Sequence, residues 1–103
     1  MTAPRFDELI HPGTRLSIVA LLASADWAEF AFLRDQLELS DSALSKQLAT
    51  LEDAGYVSID RPLRDHRRRV RARLTDAGRA AFRGHVAALQ QIVGTAEVER
   101  LIA

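Results

Sequence analysis

Between residues 37 and 74, the hydrophobic pattern of the chain changes from the period of a helix to the period of strands. The helical part carries leucines at i, i+4 and i+7, namely Leu44, Leu48 and Leu51. This spacing places them on one side of a helix, which predicts that this side packs on a core. Apolar and polar residues then alternate over 56–60 and over 69–74, as in strands with one covered face. The sequence therefore predicts a helix followed by a two-stranded hairpin.

Residues that are typical of helix ends flank the predicted helix. Ser40 and Asp41 stand where a helix start needs a side-chain acceptor for its unpaired N–H groups, and Gly55 is suited to end the helix. We therefore expect the helix over about residues 41–54. Its face opposite the leucines contains no bulky apolar residue and is suited to contact a polar partner. That face and its flanks comprise Ser42, Ser45, Lys46, Ala49, Thr50 and Asp53.

The predicted hairpin concentrates positive charge. Residues 61–73 contain seven arginines, half of the 14 Lys and Arg residues of a chain whose formal net charge is zero, and Asp65 is the one acid among them. Exposed ion pairs stabilise a fold only slightly, so pairing with Asp60 and Asp65 is a weak reason for such a cluster. We interpret the asymmetry as a nucleic-acid contact, with a solvated hairpin as the alternative.

The segment before this unit predicts two further helices. Residues 14–24 are apolar over a broad face, as in a largely buried helix, and residues 29–36 give a second helix with an apolar face. The short segment 26–28 could add a third strand to the sheet. Only residues 38–40 separate the second helix from the leucine-bearing helix. Two helices joined by so short a turn are a candidate helix-turn-helix.

A long helix is predicted to end the chain. The Thr-Asp pair at residues 75–76 can cap a helix over about residues 77–93, and residues 94–95 are expected to interrupt it before a short helix over 96–102. The long helix carries an apolar stripe at i, i+4, i+7 and i+11, consisting of Phe82, Val86, Leu89 and Val93. Because the stripe follows an already complete domain, we interpret it as a dimer interface. The alternative is that it covers the chain's own core.

Length and composition fit one globular domain. We assign residues 1–103 to a single domain, in which residues 75–103 form the terminal helices. The absence of cysteine excludes disulfides, thiolate metal sites and a cysteine nucleophile. No apolar run reaches the roughly 20 residues of a membrane helix, and the N-terminal residues lack a signal-peptide pattern. We therefore expect a cytoplasmic protein without a membrane partner.

The remaining residues give no sign of catalysis. His11, His66 and His85 are far apart in sequence and form no helical pair with each other or with a carboxylate, so we interpret each as an ordinary surface or core residue. The sequence contains neither a glycine-rich phosphate loop nor a nucleophile motif. We expect no enzyme activity, no metal site and no cofactor. Trp27 and Tyr56 are expected to anchor the core, and the alternative is that they are stacking platforms for single strands.

Three segments resemble the small winged helix-turn-helix transcriptional regulators of bacteria and archaea related to the multiple-antibiotic-resistance repressors, within the MarR/ArsR-like superfamily. They read HPGTRLSIVALL, FAFLRDQLELSDSALSKQLATLEDAGYV and RARLTDAGRAAF, and the resemblance extends over roughly residues 9–90. It implies an α+β, mainly α fold with a two- or three-stranded wing sheet and a long C-terminal dimerisation helix. It also implies a homodimer that binds double-stranded DNA through a recognition helix at about 41–54 and a wing at about 60–69.

The expected DNA contacts come from these two elements. Side chains of the recognition helix are expected to reach base edges or phosphates in the major groove. They are Ser42, Ser45, Lys46, Gln47 and Thr50, of which Gln47 lies nearest the buried side. Wing arginines are expected to contact the backbone and the minor groove. They are Arg64, Arg67, Arg68, Arg69 and Arg71, whereas Arg73 adjoins the body and could instead pair with Asp76.

Two further interpretations stay open. A winged-helix module that binds protein instead of DNA is the alternative function, but the outward arginines argue against it, because protein interfaces prefer an aromatic-rich centre. A small-molecule effector could bind in a cleft between the terminal helices and the DNA-binding body. The sequence shows no ligand-specific group at that place.

Overall fold

The computed structural model describes residues 2–61 and 69–102, and the side chains as far as residue 94. Within these residues the chain forms four helices and three strands. In chain order they are α1 (Gly13–Ala23), β1 (Ala28–Glu29), α2 (Phe30–Gln36), α3 (Asp41–Asp53), β2 (Val57–Asp60), β3 (Arg71–Leu74) and α4 (Asp76–Ile102). The predicted mainly helical α+β class and the predicted order of elements are confirmed.

The sheet contains a third strand, as the sequence suggested, but this strand is Ala28–Glu29 and not residues 26–28. Its strand order is β1-β3-β2, with both neighbouring pairs antiparallel. Because opposite partners share a face, the register of Ala28 and Ile59 with Ala72 forms an inner face over the core. The outer face carries the alternate residues, among them Arg71 and Arg73. The predicted alternation of the two hairpin strands is therefore confirmed.

Helix α3 begins and ends as its sequence indicates. The Oγ of Ser40 accepts a hydrogen bond from the backbone N–H of Ala43 at 3.1 Å, which satisfies one of the unpaired donors of the first turn. At the other end, Gly55 has a φ of +79°, in the left-handed region that glycine adopts without a steric penalty. This reversal leads the chain directly into β2. The leucines of α3 face inward and are buried, namely Leu44, Leu48 and Leu51.

The core is one contiguous cluster beneath the sheet. It joins the leucines of α3 to Ile18 and Leu22 of α1, Leu33 of α2 and the inner face of the sheet. Tyr56 packs against this cluster, but the expectation that Trp27 anchors the core is wrong, because 46% of Trp27 is exposed. The physical reason is the register of β1, in which the small Ala28 takes the buried position.

Helix α4 is longer than the sequence predicted. It runs without a break from Asp76 to Ile102, so the predicted interruption at residues 94–95 is wrong. A helical glycine costs about 1 kcal/mol relative to alanine, which is too little by itself to end a long helix. The first half of α4 packs on α1 and β3, whereas Ile92 and Val93 further along are more than half exposed. Within the described residues, no helix is long and apolar enough to cross a membrane.

Candidate nucleic-acid interface

The outward face of α3 presents a compact group of polar side chains. Ser42, Ser45 and Lys46 are exposed and lie in the first half of the helix, after the short turn that follows α2. Thr50 is half-buried and donates from Oγ1 to the carbonyl of Lys46 at 3.2 Å. The helix-turn-helix therefore brings together four of the five side chains that the sequence assigned to the groove.

Gln47 is turned toward the body of the domain. It is half-buried, and its Oε1 accepts a hydrogen bond from Nη1 of Arg15 at 2.9 Å. The same guanidinium donates from Nε to the carbonyl of Leu9 at 2.6 Å. Arg15 thus connects α3 to α1 and to the N-terminal segment, which gives Gln47 a structural role in addition to the predicted contact.

A second arginine braces the turn between α2 and α3. Arg34 donates to Asp35 at 2.9 Å and to Asp41 at 3.0 Å, and these two carboxylates raise its pKa. Asp41 is the first residue of α3, so its negative charge is partly neutralised at the end of the helix that is proposed to approach DNA. Arg34 was not among the residues predicted from the sequence, although it is a basic residue in the last turn of α2.

The base of the wing carries arginines with different partners. Arg61 lies 3.6 Å from a carboxylate oxygen of Glu52, and Arg69 lies 3.9 Å from one of Glu29. Arg71 instead stacks on an aromatic ring, with its Cζ 4.1 Å from the ring centroid of Trp27. Arg73 is exposed. The other wing arginines assigned from the sequence, Arg64, Arg67 and Arg68, lie outside the described residues.

The N-terminal segment is held against the body of the domain by Asp7. The carboxylate of Asp7 accepts hydrogen bonds from the hydroxyl of Tyr56 at 2.6 Å and from the backbone N–H groups of Leu9 and Ile10 at 2.9 and 3.1 Å. Burial alone would raise the pKa of Asp7, but these hydrogen bonds together lower it. Because Tyr56 follows the turn that ends α3, Asp7 ties the N-terminal segment to the end of the recognition helix.

Two histidines that are far apart in sequence meet beside this segment. Nε2 of the buried His85 lies 3.2 Å from Nδ1 of His11, and the ring of Phe6 packs against both imidazoles. Nδ1 of His85 accepts the backbone N–H of Asp7 at 3.0 Å, so its Nε2 carries the proton and donates to His11. Burial lowers the pKa of His85, as does the nearby His11, against the opposite effect of Asp7. Within the described residues, no third His, Cys, Asp or Glu joins the pair as a metal ligand.

The start of α4 docks against the end of α3. Thr75 donates from its backbone N–H to the carbonyl of Tyr56 at 3.0 Å and from Oγ1 to the carbonyl of Gly55 at 2.6 Å. The backbone N–H of Gly78 donates in turn to Oγ1 of Thr75 at 3.0 Å. These bonds connect the start of α4 to Gly55 and Tyr56, the residues that follow the end of α3.

A helix-turn-helix with an exposed polar face, followed by an arginine-bearing hairpin and a long terminal helix, defines the winged-helix class of DNA-binding domains. Comparison with known families agrees with this geometry. The chain belongs to the winged helix DNA-binding domain family, whose model matches residues 14–93. It is accordingly a DNA-binding protein of the winged-helix class.

Individual proteins are similar to this chain in sequence or in fold. It is 31% identical over 85 residues to the uncharacterized protein MJ0432 of Methanocaldococcus jannaschii, which covers 82% of this chain and 92% of that protein. A transcriptional regulator homologue from Pyrococcus horikoshii OT3 has the same fold, with a TM-score of 0.81 at 22% identity over 86% of this chain and 88% of that chain. ZitR, a zinc-responsive MarR family member of Lactococcus lactis, has a TM-score of 0.61 at 25% identity over 82% of this chain and 58% of that chain.

Proposed function

We propose that the protein is a cytoplasmic transcriptional regulator that binds a pseudo-palindromic site in double-stranded DNA as a homodimer. In this proposal α3 enters the major groove and the arginine-rich wing follows the backbone and the minor groove. The observation that supports it most directly is the exposed group of Ser42, Ser45 and Lys46 on a helix whose opposite face is buried. A helix of this kind fits the major groove, which is about 12 Å wide.

The chemistry of the exposed face suits base and phosphate contacts. Serine hydroxyls both donate and accept hydrogen bonds, and Lys46 adds a positive charge that can reach a base edge or a phosphate. The carboxylates near this face are partly neutralised, Asp41 by Arg34 at 3.0 Å and Glu52 by Arg61 at 3.6 Å. Repulsion between these acids and the DNA backbone is thereby reduced.

The wing supplies the positive charge that binding to phosphate requires. If each subunit neutralises about four or five phosphates, the logarithm of the binding constant should fall with the logarithm of the salt concentration with a slope of about −8 for a dimer. A binding constant that hardly changes with salt would contradict the assignment of Arg64, Arg67, Arg68, Arg69 and Arg71 to DNA.

The terminal helix supports the proposal of a homodimer. Helix α4 has 27 residues, which corresponds to a length of about 40 Å. The exposure of its predicted apolar stripe increases along the helix. Three residues of the stripe are half-buried, namely Phe82, Val86 and Leu89. Val93 is 55% exposed, and the neighbouring Ile92 is 57% exposed. A second copy of the chain would cover this exposed part. Such a dimer would present two recognition helices about 34 Å apart, to half-sites one helical turn apart.

A small-molecule effector is the remaining part of the proposal. A cleft of about 300 Å³ lies between the N-terminal segment and the first turns of α4, bordered by Arg5, Asp7 and Tyr56. An occupant there would contact both the start of α4 and the residue that follows the recognition helix, so it could change the spacing of the two recognition helices.

The experiment that tests the proposal is a pull-down of genomic DNA fragments with purified protein. Wild-type protein should enrich one inverted repeat, Lys46→Ala should lose that enrichment, and replacement of Arg67, Arg68 and Arg69 by alanine should weaken binding to all fragments. Thr14→Ala, an exposed change in α1, is the control and should bind as wild type does. The absence of any enrichment at low salt would favour the protein-binding module instead.

A further inference from the structure

Trp27 occupies an unusual place for a large aromatic residue. It lies in the loop between α1 and β1, on the outer side of the sheet, and 46% of it is exposed. A tryptophan in a small domain contributes most to stability when it is buried. Its exposed position beside the wing therefore calls for another role.

The indole ring of Trp27 holds the guanidinium of Arg71. The Cζ of Arg71 lies 4.1 Å from the ring centroid, within the range in which the negative face of the ring attracts a cation. The Nε atom of Arg71 is buried and makes no hydrogen bond within the described residues. The side chain is thus anchored through its flat face, while no described carboxylate forms an ion pair with its terminal nitrogens.

The register of the sheet places two carboxylates opposite Arg71. Arg71 is in the central strand, directly opposite Glu29 of β1 and Asp60 of β2, so all three residues share the outer face. Either carboxylate could have paired with Arg71. Instead Glu29 lies 3.9 Å from Arg69, and Arg71 stacks on Trp27. Residues 27–29 therefore orient two wing arginines in two different ways.

Stacking has a different consequence from ion pairing. An ion pair occupies the donors of a guanidinium, whereas a ring face leaves the N–H groups of the two terminal nitrogens available for a bidentate contact with another anion. A stacked arginine is also restricted in its rotamers before it binds, which lowers the entropy cost of ordering it. Arg71 is thus held ready for an oxyanion at the outer face of the wing.

We propose that Trp27 is a positioning residue for DNA binding, which holds Arg71 on the outer face of the wing sheet for a contact with a backbone phosphate. This proposal rests on the proposed function, because it assumes that the wing meets DNA. It adds a residue that lies outside both the recognition helix and the wing. Trp27 acts through Arg71 and need not touch the DNA.

The test uses a short random-sequence duplex at low salt, because phosphate contacts do not require a particular sequence. Four variants are compared with wild type: Trp27→Ala, Trp27→Phe, Arg71→Ala and the double alanine variant. Trp27→Ala should weaken binding about two- to fivefold per subunit, or about four- to 25-fold for the proposed dimer, which is the range expected for an exposed cation–π interaction. Trp27→Phe keeps a ring and should retain most of the affinity. The double variant should bind no more weakly than Arg71→Ala.

The salt dependence gives a readout that a purely structural role would not change. Removal of one phosphate contact per subunit should reduce the slope of the salt dependence by about 2 in a dimer, and Trp27→Ala should reproduce part of that change. Trp27 is also the single tryptophan of the chain, so its fluorescence reports directly on the stack. Its emission should change when the duplex binds, and Arg71→Ala should alter both the starting emission and that response.

Each outcome separates this proposal from the proposed function. If Arg71→Ala leaves the affinity and the salt slope unchanged while Lys46→Ala weakens binding, the positioning role is overturned and DNA binding stands. If Trp27→Ala weakens binding equally in the presence and absence of Arg71, Trp27 does not act through Arg71. If the wild-type protein does not bind the duplex at all, the proposed function itself fails. Should Trp27→Ala not fold, Trp27→Phe and the fluorescence of Arg71→Ala decide the question.

Discussion

Substitution of Gly78 by alanine should separate the terminal helix from the end of the recognition helix. Gly78 is buried in the first turn of α4, and a Cβ atom added there would lie 2.0 Å from the carbonyl oxygen of Tyr56 and 2.8 Å from its carbonyl carbon. Both are backbone atoms, so no rotamer change can relieve the overlap. An ordinary contact begins at 3.4 Å, so the two backbones would have to separate by about 1.4 Å.

The expected cost is the difference between several contributions. Overpacking of this kind destabilises by about 1–3 kcal/mol. The hydrogen bonds from Thr75 to the carbonyls of Tyr56 and Gly55, at 3.0 and 2.6 Å, would be stretched, at about 1 kcal/mol each. The better helix propensity of alanine returns about 1 kcal/mol. We therefore expect a net loss of about 2–4 kcal/mol in the free energy of unfolding, which lowers the melting temperature by about 10 °C or more in a domain of this size.

The assay is urea denaturation followed by circular dichroism, with Gly13→Ala as the matched control. A Cβ at Gly13 would meet nothing within 4 Å, so this variant should be as stable as wild type or slightly more stable. If Gly78→Ala proves as stable as Gly13→Ala, α4 does not approach the Tyr56 backbone as closely as described. The close packing of α4 against the end of α3 would then be disproved.

Further predictions concern the buried histidine, the helix cap and the dimer interface. Burial lowers the pKa of His85 below its ordinary 6.5, so the unfolded chain takes up this proton at a higher pH than the folded chain. The free energy of unfolding should therefore fall as the pH drops below 6.5, by at most about 1.4 kcal/mol per pH unit, and denaturant titrations of His85→Asn should show a flatter profile than wild type. Ser40→Ala should lose about 1 kcal/mol of stability in the same assay, whereas the exposed Ser17→Ala should change by less than about 0.5 kcal/mol; equal losses would contradict the cap. Val93→Glu should dissociate the proposed dimer in analytical ultracentrifugation, because an interface buries an unpaired charge only at a cost of several kcal/mol, while Thr14→Glu should not. A Val93→Glu variant that still sediments as a dimer would place the interface elsewhere.

The secondary-structure elements that depend on local sequence signals could be predicted from the sequence. The period of the leucines in α3, the cap at Ser40 and the reversal at Gly55 all act within one or two turns of the chain, so the bounds of the recognition helix were predictable to within a residue or two. The same is true of the hairpin, because alternation along a strand decides which side chains share a face. The family was indicated by the resemblance of three sequence segments, in their order along the chain, to its known members.

The tertiary structure alone decided which distant side chains meet. His11 and His85 are 74 positions apart and come within 3.2 Å, because the N-terminal segment folds back onto α4, and no periodicity records that return. Trp27 was expected in the core, but the register of β1 with β3 gave the buried position to its neighbour and left the ring for Arg71. The passage of α4 through Gly94 likewise depended on a balance of small helix propensities that the residue type does not settle. Local interactions specify the elements of this protein, and packing between elements specifies its contacts.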